Sequence, residues 1–209
     1  MKTTLKSLLG LALITLTCAA ADTEEGFVSL MDGKSFAGWK KAVENPDTWT
    51  VKDGMFIAAG ERCHLFYVGD EKPFKNFHLK VEVQTEPGSN GGIYFHTRYQ
   101  ERDWPRGGFE CQVNNTHSDW IKTGSLYGLA SIGQQAAKDG KWWTQEVIVQ
   151  GNSVTVKIDG LTVLQYNEPA GAQPGQGFER KINEGTFALQ AHDPKSVIRY
   201  RNIRVKRLD

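Results

Sequence analysis

The chain has 209 residues, a formal net charge of +1 and 39% hydrophobic residues. That composition suits one globular domain with a single core, and the balanced charge without a basic run argues against nucleic acid as the main partner. Generous glycine (22) and tryptophan (6) point to an all-β chain of strands and tight turns.

The first residues read as a leader, not as part of the fold. Lys2 and Lys6 give a positive start, residues 8–16 an apolar run, and Ala19-Ala20-Ala21 the small residues of a cleavage site. The run is too short for a membrane span. The expected organisation is therefore a signal peptide over 1–21 and one domain over 22–209, exported to the periplasm or beyond. Cys18 also allows lipoprotein anchoring, for which Thr17 in front of it is a poor neighbour. Cys63 and Cys111 remain in the domain. An oxidising compartment permits a disulfide between them, and the alternative is two buried thiols acting as small hydrophobes.

Residues 27–30 read as a short strand, followed by a turn at Asp32-Gly33-Lys34-Ser35 and anchors at Phe36 and Trp39. Strands over 49–51 and 55–57 flank Asp53-Gly54, a pair suited to a tight hairpin turn. Residues 63–68 form another expected strand. Over 77–86 the alternation is clearest: Phe77, Leu79, Val81 and Val83 against His78, Lys80, Glu82 and Gln84. One face is core and the other wet, as in an antiparallel sheet. Residues 87–92 turn the chain into a strand over 91–98, and 102–108 form a loop before a strand over 109–114. Residues 116–140 are the least regular part. Strands over 143–149 and 154–158 flank Gly151-Asn152, and Asp159-Gly160 leads into a strand over 161–166. Residues 167–183 are a long loop, a length usually reserved for functional or mobile segments. Strands over 185–192 and 197–208 close the chain. So many strands without helical periodicity predict a two-sheet antiparallel β-sandwich, larger than an immunoglobulin-type domain.

Three of these strands carry polar residues on one face. Phe109, Cys111 and Val113 alternate with Glu110, Gln112 and Asn114. Ile93, Phe95 and Thr97 alternate with Tyr94, His96 and Arg98. Phe187, Leu189 and Ala191 alternate with Ala188, Gln190 and His192. The three strands are expected to be neighbours in one sheet, their polar faces forming a sugar-binding and catalytic surface. Trp104, Trp120, Trp142 and Trp143 are available to stack on sugar rings or to pack in the core.

Several blocks carry a family resemblance, and they occur in order along nearly the whole domain. They include Leu30-Met31-Asp32-Gly33-Lys34-Ser35-Phe36-Ala37-Gly38-Trp39, Asn90-Gly91-Gly92-Ile93-Tyr94-Phe95, Gly108-Phe109-Glu110-Cys111-Gln112-Val113 and Thr123-Gly124-Ser125-Leu126-Tyr127. Lys157-Ile158-Asp159-Gly160 and Leu189-Gln190-Ala191-His192 continue the series. Together they resemble the 3-keto-disaccharide hydrolase domain family. Gly92, where the family often has serine, and His96, where arginine is common, depart from the pattern. The resemblance implies a concanavalin A-like jelly roll whose concave sheet carries the site. It also implies cleavage of glycosides already oxidised to a ketone at C3.

Such a ketone acidifies the C2 hydrogen, so a base can remove it and the anomeric substituent leaves by elimination, after which water adds. This chemistry needs a base, a partner for the enolate oxygen and an acid for the leaving group. It does not need the two opposed carboxylates of ordinary glycosidases. Glu110 or His192 is expected as the base, or the two together hold a divalent metal. Arg98 is expected to stabilise the enolate. Gln112, Asn114, Gln190, Tyr94 and His96 are expected to bind substrate, and Tyr127 to act as an acid or pocket wall. A lectin-like binding module on the same sandwich is the main alternative. An ordinary endo-glucanase is disfavoured, because Gln112 and Asn114 stand where acids would be needed.

Overall fold

The structure is a computed structural model that describes residues 24–209. The expected leader and Cys18 lie outside the described residues. Thirteen strands are present among them. They are β1 (Val28–Ser29), β2 (Trp39–Lys41), β3 (Trp49–Lys52), β4 (Met55–Ala59), β5 (Cys63–Tyr67), β6 (Phe77–Thr85) and β7 (Asn90–Thr97). The chain continues with β8 (Phe109–Asn114), β9 (Trp143–Gln150), β10 (Ser153–Ile158), β11 (Leu161–Asn167), β12 (Thr186–Ala191) and β13 (Val197–Arg207). The larger sheet runs β11-β10-β9-β6-β13-β4-β3, with β1 paired to β13, and the smaller runs β2-β5-β12-β7-β8. All named pairings are antiparallel. The expected sandwich is therefore the observed fold. The three strands with polar faces are consecutive in the smaller sheet, as β12-β7-β8.

The alternation in β6 does what its sequence dictates. Phe77, Leu79, Val81 and Val83 are buried, while their neighbours are half-buried. They meet Ile93, Phe95, Phe109, Cys111, Val113, Phe187 and Leu189 from the smaller sheet in one core. Among the polar links that cross this core, two fix the backbone under the cavity-lining Gln112 and Gln190. Gln145 Nε2 donates to the Gln112 carbonyl at 3.0 Å, and the Tyr200 hydroxyl donates to the Gln190 carbonyl at 3.2 Å.

Cys63 and Cys111 are buried and free. They lie on β5 and β8, which β12 and β7 separate. Three strand spacings are about 14 Å, well beyond the reach of a disulfide. Burial pushes Cys63 up to about 11 and Cys111 up to about 12, so neither is a reactive thiolate at neutral pH. The expected strand over 27–30 shrinks to two residues, and β2, read from sequence only as an anchor at Trp39, is a short strand beside β5.

Candidate active site

The outer face of the smaller sheet forms the floor of a cavity of about 590 Å³, a usual size for a small-molecule site. Tyr94, Glu110, Gln112, Gln190, His192 and Tyr127 line it. The cross-strand register explains the grouping. Tyr94 stands opposite both Glu110 and Ala188, and Gly92 opposite Gln112. Side chains at these positions project to the same side.

Glu110 is the best-held of these groups. It is 6% exposed. The Tyr94 hydroxyl donates to its Oε2 at 2.8 Å, and Gln190 Nε2 donates to its Oε1 at 2.9 Å. Gln190 also donates to the Tyr94 oxygen at 3.1 Å. Burial raises the Glu110 pKa above 4.5, outweighing the Tyr94 and Gln190 bonds and the positive charge of Arg180. Burial and the adjacent carboxylate push Tyr94 well above its ordinary value, so it stays a neutral donor. Gly92 makes room for this arrangement: a Cβ there would stand 2.7 Å from Glu110 Oε1.

His192 stands at the wall. Its Nδ1 lies 2.9 Å from Asp193 Oδ2, which also accepts from Ser196 Oγ at 2.8 Å. Burial opposes ionisation of Asp193, but the bonds from His192, Ser196 and the Lys195 amide outweigh it and hold its carboxyl below the usual range. An ionised carboxylate only accepts, so His192 Nδ1 carries a proton and Nε2 is left for a ligand. The Trp104 ring packs beside His192, with centroids 5.2 Å apart.

Three expected residues lie elsewhere, and β7 gives the reason for two. Thr186 pairs with Thr97 but Ala188 with Tyr94, so β7 carries one extra residue there. This bulge reverses the parity of everything after Phe95. His96 takes a left-handed φ of 55°. Its Nε2 donates to the Lys75 carbonyl at 2.9 Å, and its Nδ1 accepts from the Asn183 amide. Burial pushes its pKa down to about 4, so it is a neutral structural histidine. Arg98 is 68% exposed in its side chain and pairs with Glu179 at 2.6 Å, beside a separate groove. The expectation that His96 and Arg98 share the site face is thus corrected by the bulge. Asn114 is also absent from the cavity lining. Its Nδ2 donates to the Asp119 and Ile121 carbonyls, and its Oδ1 accepts from the His117 amide, so it shapes the irregular segment after β8.

The cation that does face the cavity is Arg180, at the end of the long loop. It has a left-handed φ of 42°, and its buried Nη1 has no protein partner. Oε1 of Gln112 and of Gln190 are likewise buried without a protein partner. Burying an unpaired polar atom costs about 1–3 kcal/mol, a cost that a polar ligand reaching these atoms would offset. Sequence reading flagged this loop by length but did not single out Arg180. Asn90, Phe178 and Trp104 complete the aromatic and amide wall. Trp120 is 64% exposed, Trp142 packs under Arg201 and Trp143 is buried in the core, so Trp104 is the one of the four that lines the cavity.

Glu110 and His192, expected as possible metal ligands, form a thin donor set. Among the described residues no three His, Cys, Asp or Glu side chains converge. Both Glu110 oxygens already accept from donors, whereas a divalent ion wants more and freer oxygens.

The fold and the family match together indicate a carbohydrate-active β-sandwich protein. The chain belongs to the 3-keto-alpha-glucoside-1,2-lyase-like domain family, whose model matches residues 26–206. No curated protein matches the sequence. Among solved structures it is similar to a "putative glycosyl hydrolase" from Parabacteroides distasonis ATCC 8503, with a TM-score of 0.73, 23% identity and coverage of 88% of this chain and 95% of that one. A carbohydrate-binding module from Bacillus subtilis matches with a TM-score of 0.60 and 12% identity over 81% and 96% of the two chains. A Bacillus subtilis protein with a galectin-like fold gives 0.59 and 10% over 81% and 89%. Relatives this distant share the fold, and one fold hosts both hydrolases and binding modules, so function is argued from the site. Among the described residues no helix is long and apolar enough to cross a membrane.

Proposed function

We propose that this protein cleaves glycosides that carry a ketone at C3, by elimination across C1 and C2 followed by hydration. One observation carries the reading: among the described residues Glu110 is the sole carboxylate lining the cavity, and it faces Arg180 and an aspartate-held histidine. A two-carboxylate glycosidase mechanism lacks its second acid here. A base, an oxyanion partner and an acid are the three groups that elimination requires.

Glu110 removes the C2 proton. Its raised pKa makes it a stronger base than an exposed carboxylate, and Tyr94 and Gln190 hold it in one orientation. The electron pair moves into C2–C3, and the C3 oxygen becomes an enolate. Arg180 Nη1, with no protein partner to satisfy first, stabilises that oxygen. The enolate collapses, C1–C2 becomes a double bond, and the C1–oxygen bond breaks. In the form that carries a proton on both ring nitrogens, His192, oriented by Asp193, gives its Nε2 proton to the leaving oxygen and is left protonated on Nδ1 alone. Water added across the enone then yields the free 3-keto sugar. Gln112, Asn90 and Gln190 hold ring hydroxyls, and Trp104 and Phe178 cover the apolar sugar face. If export follows the leader, the reaction runs outside the cytoplasm.

The acid and base roles separate by leaving group. His192→Ala lowers kcat by about 10²-fold or more for a poorly acidic aglycone, and only a few-fold for 4-nitrophenol, which departs without a proton. Equal losses on both aglycones would instead make His192 the base.

A further inference from the structure

Beneath Trp104 lies a histidine that this reaction does not use. His64 is on β5 in register with Gln190 of β12, so its side chain shares the cavity face. Its ring meets Tyr94 edge-on at 5.5 Å and Trp104 edge-on at 5.6 Å. It is fully buried, and neither ring nitrogen has a protein partner. His96, the structural histidine one strand over from β12, is bonded at both nitrogens. Buried polar groups in native proteins are nearly always paired, so the contrast between the two rings needs an explanation.

Charge and chemistry narrow the partner. Burial, aided by Arg62 and His192, pushes the His64 pKa down to about 3, so the ring is neutral at ordinary pH. A neutral imidazole offers one N–H donor and one acceptor. A hydroxyl, which can accept or donate, complements either nitrogen. The row that His64 begins repeats the demand. Gln190 follows it on β12 and Gln112 closes it on β8, and each of these amides has a buried Oε1 without a protein partner. Gly92 lies between them, opposite Gln112, and the Glu110 side chain lies over it, so the row flanks that carboxylate.

The cover over His64 is suited to movement. Trp104 lies on an irregular segment between β7 and β8, where Asp103 has a left-handed φ of 68°. The indole is half-buried and makes ring contacts with His64 and His192, with the Arg62 guanidinium 4.8 Å from its centroid. Among the described residues no hydrogen bond ties the indole nitrogen down.

We infer that His64 is a substrate-binding residue: the Trp104 indole shifts as a glycoside enters, and the exposed imidazole takes one of its hydroxyls. The site then extends along the His64–Gln190–Gln112 row beyond the open cavity. The inference rests on the reading that the cavity takes a sugar.

The test compares wild type with His64→Phe, which keeps a flat ring against Tyr94 and Trp104 but removes both nitrogens. Calorimetric titration uses a 3-keto-glucoside and the same glucoside unoxidised, and thermal melts accompany it. The expected result is a Kd raised about tenfold or more with a Tm equal to or above wild type, because phenylalanine buries no unpaired polar atom. A Kd within twofold of wild type overturns the inference, as does a lowered Tm with unchanged Kd. Nitrogen NMR of histidine-labelled wild type answers without a substitution. The His64 resonances move on saturation with glucoside if a hydroxyl bonds the ring, and stay fixed if the ring is only packed. A wild type that binds the glucoside but releases no aglycone refutes the proposed reaction while leaving the His64 comparison readable. A wild type that turns over normally with an indifferent His64→Phe refutes only the inference. Failure to bind either sugar refutes both.

Discussion

Glu110→Gln lowers kcat on a 3-keto-glucoside by about 10²–10⁴-fold, with KM little changed. The glutamine keeps the shape of the side chain and one acceptor oxygen for the bond from Tyr94, but it cannot take the C2 proton. Stability moves the other way from activity. The folded-state pKa of Glu110 is raised above 4.5, so the folded protein holds that proton more tightly than the unfolded chain. Where the unfolded state has lost the proton and the folded state has not, unfolding is favoured by rising pH. Glu110 therefore costs stability progressively from about pH 4.5 upward, until the folded-state pKa is passed. Glu110→Gln removes that cost, and its melting temperature at pH 8 equals or exceeds wild type. Activity of the wild type rises with pH through the same raised pKa. A pH–rate profile of kcat/KM beside melts at pH 5 and pH 8 measures both signs.

Arg180→Gln lowers kcat by about 10²–10³-fold, whereas Arg98→Gln leaves it within about threefold. The contrast follows from what each guanidinium touches. Arg98 is exposed and already paired with Glu179, and exposed pairs contribute little. Arg180 lines the cavity with a buried nitrogen that has no protein partner, and its charge acts on Glu110. A developing enolate would complete its bonding. Removing that charge also removes an attraction that favours ionised Glu110, so the alkaline shift of the pH–rate profile increases in Arg180→Gln. Steady-state kinetics of the two variants on one substrate separate the two arginines. Equal effects would return the oxyanion role to the surface pair.

Much of this site was legible because alternation is a local signal. Glu110 and Gln112 are two residues apart on a regular strand, and Tyr94 and Gln190 sit where period two puts them. The same rule misplaced His96 and Arg98, because a single extra residue in β7 flips every side chain beyond it. Nothing in Phe95-His96-Thr97 marks that bulge by composition; only pairing with β12 reveals it. Asn114 ends its strand, and at a strand end the following segment claims the side chain. Arg180 was hidden for a different reason. It lies in a loop, where no periodicity assigns direction, and its place depends on how residues 167–183 fold back over the sheet. The charged run Glu179-Arg180-Lys181 just before β12 was the available sign, since that strand returns to the cavity floor. His64 escaped because β5 is buried on both faces, and Cys63-His64-Leu65-Phe66 shows no polar alternation. Gly108 is the counterpart in backbone. Its φ is 72°, and a Cβ there would lie 2.0 Å from the Phe95 carbonyl oxygen, so the chain can close against the bulge just before β8.

The central claim is proton removal at C2, and a labelled substrate tests it most directly. A 3-keto-glucoside carrying deuterium at C2 is turned over beside its unlabelled form and beside the unoxidised glucoside, with an enzyme-free control for exchange. The account predicts a primary isotope effect on aglycone release or loss of the label to solvent in the 3-keto sugar product, with no release from the unoxidised glucoside. Release from both glucosides with the C2 deuterium retained would mean direct attack at C1, and would contradict it.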